Sequence, residues 1–98
     1  MIRWKKQTKK QQHAELVKTI REYLALKKVF CFPVRQGAFA YKGISDLIAV
    51  KDGIIYAIEV KIGKDILSDS QRMFFQDVLN AGGWIIVAHS LDDIITWL

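Results

Sequence analysis

Asp46, Glu59 and Lys61 are the residues of this chain whose types and spacing can do chemistry together. They bracket the stretch "DLIAVKDGIIYAIEVK", residues 46–61, in which two apolar runs meet at Asp52-Gly53. Asp-Gly suits a two-residue type I′ hairpin turn, because both central residues of that turn need positive φ. With the turn at 52 and 53, Lys51 faces Ile54 and Asp46 faces Glu59. Facing residues of an antiparallel pair have Cβ atoms about 4.5–5.5 Å apart on one side of the sheet. Strand alternation adds Ile48, Val50, Ile55, Ala57 and Lys61 to that side. Two carboxylates among apolar neighbours repel each other unless something positive lies between them. Lys61 borders the pair without being able to satisfy both. Two carboxylates with a backbone carbonyl and water make the oxygen-rich, partly open sphere that Mg²⁺ takes when a phosphate completes it. The competing reading is a solvated surface cluster of three charges. The hairpin register and the apolar setting favour the metal.

The elements around these residues follow from periodicity. From about Gln11 to Lys28, Leu16, Val17, Ile20, Tyr23 and Leu24 recur at helical spacing. "VFCFPV", residues 29–34, is a strand whose Pro33 marks an edge or an end. "RQGAFAYKG", residues 35–43, is a loop. Ser68 and Gln71 have the spacing of a capping box, and Met73, Phe74, Val78 and Leu79 give the helix behind it an apolar face. "AGG" ends that helix, "WIIVAH" (84–89) is a buried strand, and "LDDIITWL" (91–98) closes the chain with a short helix. The order α-β-β-β-α-β-α is an α/β fold, a mixed sheet flanked by helices.

The chain has 98 residues, one domain's worth, and a core small enough that a second copy becomes a useful partner. Its single cysteine, Cys31, has no internal partner, which fits a reducing compartment. No stretch approaches the roughly 20 apolar residues of a membrane span, and no apolar leader follows the charged start. A cytoplasmic protein is the expectation. The first 50 residues carry eleven Lys or Arg against three acids, whereas residues 51–98 carry four against seven. Lys5, Lys6, Lys9 and Lys10 crowd beside Arg3 and Trp4, so residues 1–10 read either as a flexible basic arm able to neutralise phosphates or as a solvated terminus.

"GISD" (43–46), "EVK" (59–61) and "SDSQ" (68–71), taken together, resemble the PD-(D/E)XK nuclease superfamily, and more narrowly the stand-alone VRR-NUC domains of phage and bacterial proteins. Ser45 stands where the superfamily name has proline. The resemblance implies a restriction-endonuclease-like core in a single domain spanning 1–98. It implies that Asp46 and Glu59 hold Mg²⁺ or Mn²⁺, with the Val60 carbonyl as a further ligand. Lys61 would then orient or deprotonate a water, or stabilise charge on the phosphate. Gln71 matches a family glutamine that positions Lys61 or the phosphate, and it equally fits the capping box. Glu15 matches a first-helix acid that can touch the metal site, although the helical wheel projects it away from the Leu16/Val17/Ile20/Leu24 stripe.

The expected activity is a metal-dependent, structure-specific DNA endonuclease, acting as a homodimer on branched DNA such as four-way (Holliday) junctions in repair. Arg35 and Lys42, flanking the loop into Asp46, are phosphate-contact candidates. The alternatives are a catalytically silent nucleic-acid-binding module with the same fold, and a small interaction protein whose basic arm docks an acidic partner. His13 and His89 lack any matching Cys or His spacing, which argues against zinc, and Cys31 reads as packing.

Overall fold

The computed structural model describes residues 6–98, so Lys5, with Arg3 and Trp4, lies outside the described residues. Its elements run α1 (Lys9–Leu26), β1 (Phe30–Pro33), β2 (Leu47–Lys51), β3 (Ile54–Val60), α2 (Asp69–Asn80), β4 (Trp84–Ala88) and α3 (Leu91–Ile95). One four-stranded sheet has the order β1-β2-β3-β4. The β1/β2 and β2/β3 pairs are antiparallel, and β4 joins β3 in parallel after the α2 crossover.

The hairpin turns where the sequence dictates. Asp52 and Gly53 both have positive φ, 53° and 79°, and Lys51 pairs with Ile54 and Leu47 with Ile58. Pro33 ends the edge strand β1, where its missing N–H costs the sheet nothing.

Two expectations need correction. α1 begins at Lys9, because Thr8 caps it: the Thr8 hydroxyl accepts from the Gln11 N–H at 3.1 Å, and the Gln11 side chain accepts from the Thr8 N–H at 2.9 Å. Lys9 and Lys10 therefore sit in the first helical turn and not in a flexible arm. The strand β4 is also less buried than its apolar sequence suggests. It is the sheet's second edge, so Ile86 and Ala88 point into the core while Trp84 stays 48% exposed.

The main core lies on one face. Ile20 and Leu24 of α1, with Ile94 and Leu98 at the chain's end, pack on Leu47, Ala49, Ile58 and Val60. Alternation sends Ala57 and Glu59 to the opposite face, where Gln71 of α2 reaches Glu59. The loop before β2 is pressed against α2. Gly43 has φ +78°, and a Cβ there would lie 2.1 Å from the Ser70 carbonyl oxygen and 2.8 Å from the Gln71 nitrogen. Both contacts are with backbone, which cannot swing aside. Gly43→Ala is expected to cost about 2–5 kcal/mol, from the strained φ and the overpacking together. Urea denaturation would measure it, and an unchanged midpoint would refute the close packing of this loop on α2.

Candidate active site

The site forms at the rim of the sheet where β2 begins and β3 ends. Register places Asp46, one residue before β2, beside Glu59 near the end of β3. Asp46 is fixed by its own strand environment. Its carbonyl accepts from the Val34 N–H at 2.9 Å, and its Oδ2 accepts from the Val60 N–H at 2.8 Å. Ser45, fully buried, donates its hydroxyl to the Leu47 carbonyl at 3.0 Å, so the side chain at this position has its own tie to the strand.

Glu59 is 4% exposed. Its Oε1 accepts from the Gln71 Nε2 at 3.0 Å and lies 3.8 Å from the Lys61 Nζ. Its Oε2 is buried and has no hydrogen-bond partner among the described residues. Desolvation first, and then the nearby charge of Asp46, push its pKa from the ordinary 4.5 up to about 7, with Lys61 pulling the other way. A buried carboxylate oxygen without a donor, beside a second carboxylate, is stabilised by taking up a proton or a cation, and the raised pKa expresses the first.

Gln71 closes the capping box and also reaches the acid pair, where its amide meets Glu59 rather than Lys61, because its two terminal atoms point to different partners. The Oε1 closes the capping box by accepting from the Ser68 N–H at 2.9 Å, while the Nε2 holds Glu59. The cap sets the start of α2, and so fixes where that Nε2 stands.

Glu15 lies elsewhere. Its exposed carboxylate accepts from the Gln7 side chain at 2.7 Å, and no hydrogen bond joins it to Asp46 or Glu59. The first helix instead sends His13, whose Nε2 is 3.2 Å from Asp46 Oδ2. The absence of a zinc-type spacing hid His13. Yet position 13 continues the 16/17, 20, 24 stripe one turn back, and that was the available signal.

A cleft of about 220 Å³ opens beside the site, lined by Lys9, Lys10, His13, Glu59, Lys61 and Asp65 among others. Lys9 reaches across it to Asp65 at 2.8 Å, holding the Asp65 carboxyl below its ordinary range. Lys6, Arg35 and Lys42 are exposed. Arg35 and Lys42 line other surface depressions, on either side of the glycine loop. A larger cleft of about 370 Å³ lies beside Cys31, but it holds no facing pair of acids, and burial pushes the Cys31 thiol up toward its protonated form.

The VRR-NUC domain model matches residues 1–92 of the 98. The chain belongs to the VRR-NUC domain family. No curated protein matches it. As a VRR-NUC domain it has a nuclease fold and a nuclease-type, DNA-processing function, with DNA as its partner. Among the described residues, no helix of this VRR-NUC domain is long and apolar enough to cross a membrane.

Nuclease domains generally use divalent metals. Among the described residues, no three His, Cys, Asp or Glu side chains converge as a complete protein cage would require. An open sphere with one or two carboxylates is the arrangement that suits Mg²⁺ bound together with a substrate phosphate. The unpartnered Oε2 of Glu59 supplies the specific vacancy in hydrogen bonding that such an ion would answer.

Proposed function

We propose that this domain is a Mg²⁺- or Mn²⁺-dependent endonuclease that cuts branched DNA, four-way junctions among them. The observation that carries the reading is the pairing of half-buried Asp46 with buried Glu59, one oxygen of Glu59 having no hydrogen-bond partner among the described residues, and Lys61 alongside. Asp46 and Glu59, with the Val60 carbonyl, would hold the ion. When bound, the ion would polarise the scissile phosphodiester and acidify a water.

The chain's own groups do the rest. Gln71 fixes the rotamer of Glu59 from α2. The Lys61 side chain, 16% exposed, lines the cleft, where its ammonium would meet an incoming phosphate or its attacking water. Lys9 and Lys10 line the cleft, and the exposed Lys6, Arg35 and Lys42 add phosphate contacts that carry no sequence information, with Lys5 a further candidate by its charge alone. So small a domain has little surface left for reading base edges, which favours recognition of DNA shape.

A homodimer completes the proposal, and an exposed apolar edge supports it. Trp84 and Trp97 stack at 6.1 Å between ring centroids while 48% and 58% exposed, with Ile95 nearby in sequence at 49%.

The test is incubation of the purified chain with junction, flap, single-stranded and plain duplex DNA, with Mg²⁺, with Mn²⁺ and with a chelator. Cutting of the branched substrates that stops in chelator is the expected result, from a preparation that sediments at twice 11.3 kDa. Binding indifferent to metal and without cleavage would instead identify a silent binding module. Neither DNA binding nor metal-dependent thermal stabilisation would point to a protein-docking role.

A further inference from the structure

The geometry points to His13 as a positioning residue for the metal site, donating from Nε2 to Asp46 Oδ2 and thereby aiming the other oxygen of Asp46 at the cation. This inference rests on the metal-site reading above and adds to it a residue from outside the acid–lysine motif.

Asp46 Oδ2 has two donors directed at it, the Val60 N–H at 2.8 Å and His13 Nε2 at 3.2 Å. Two donors fill the two lone pairs of that oxygen. Oδ1 has no hydrogen bond among the described residues, so it is the oxygen left to bind an ion. The same division holds at Glu59, where Gln71 occupies Oε1 and Oε2 has no hydrogen-bond partner among the described residues. Each carboxylate is therefore clamped through one oxygen by a helix, and the two helices approach from different sides of the sheet rim. His13 comes from α1 and Gln71 from α2.

Placement of His13 depends on the α1 stripe. It sits three and four residues before Leu16 and Val17, which pack against the core. The core thus sets the ring's position, and the ring sets Asp46. His13 lines the cleft and its side chain is 38% exposed, so it is not an ordinary buried core histidine. Direct ligation is the less supported role, because His13, Asp46 and Glu59 do not converge as a three-residue metal cage among the described residues.

Mn²⁺ binding to the full chain without DNA, read by electron paramagnetic resonance and by titration calorimetry with Mg²⁺ as competitor, tests the inference. Loss of such an outer hydrogen bond weakens metal affinity by roughly 10–100-fold. His13→Leu fills the space with no donor and should show that loss, by similar factors for Mn²⁺ and Mg²⁺. His13→Gln places an N–H donor at comparable reach and should return the affinity to within about threefold of the parent, far inside the span of the outer-bond effect. Thermal midpoints recorded alongside should be alike for both variants, which a merely structural role would not produce. Parental affinity in His13→Leu overturns the inference. So does loss confined to Mn²⁺ without rescue by glutamine, because that pattern marks a nitrogen ligand. A parent chain that takes up no Mn²⁺ removes the metal-site reading itself, and this inference with it.

Discussion

Lys61→Ala is expected to lower DNA cleavage by about 10²–10⁴-fold, the range for a positioned proton-transfer or charge-stabilising group. Metal uptake should survive, since Lys61 donates no ligand and its nearest approach to the pair is the 3.8 Å contact with Glu59 Oε1. Asp46→Ala and Glu59→Ala should behave differently, losing cleavage and cation uptake together. Single-turnover cleavage alongside Mn²⁺ titration separates the two patterns. If Lys61→Ala cuts at the parental rate, the division of labour between the lysine and the acids is wrong.

Glu59→Gln should make the metal-free protein more stable above neutral pH while abolishing its activity. The folded carboxyl titrates near 7 and the unfolded one near 4.5. Between those values the native state holds a proton that the unfolded chain releases, so stability falls as pH rises through the interval. Below 4.5 the effect vanishes, and above 7 it is complete. A displacement of that size corresponds to roughly 3 kcal/mol. Glutamine keeps the shape and an oxygen for Gln71 Nε2 while carrying no charge.

Urea denaturation of parent and variant in chelator should therefore give curves whose separation is small near pH 4.5 and grows to its full value by about pH 8. Comparing the two proteins at each pH cancels the titration of every group that does not interact with Glu59. Saturating Mg²⁺ should narrow the gap at pH 8 by stabilising the parent alone. A separation that does not change with pH would show that Glu59 carries its charge in the folded state without penalty, and the argument from its unpartnered oxygen would fail.

Much of this site can be read from local chemistry. Asp52-Gly53 commits the chain to a turn with positive φ at both positions, and alternation then carries the register outward to Asp46 and Glu59 without reference to the rest of the fold. Ser68 and Gln71 announce the start of α2 in the same way, as Thr8 and Gln11 announce α1 for a reader who looks one turn earlier. The helical wheel already set Glu15 apart from the packed stripe, and in the fold its partner is Gln7.

Sequence by itself, then, determined the elements, their order, the hairpin register and the acid–acid–lysine group, because each is fixed by contacts within a turn or between strands joined by two residues. Tertiary structure decided what those groups experience. His13 meets Asp46 across 33 positions only because the α1 core face docks on the sheet. Glu59 loses water, and one oxygen is left without a hydrogen-bond partner among the described residues, only where α2 and the rim of the sheet close over it. The apolar run of β4 could not reveal that it would be an edge, since a strand's exposure depends on which neighbours it finds and not on its own residues. Burial and charge proximity are properties of assembled elements, so the chemistry of this site begins with the packing of two helices around one end of a hairpin.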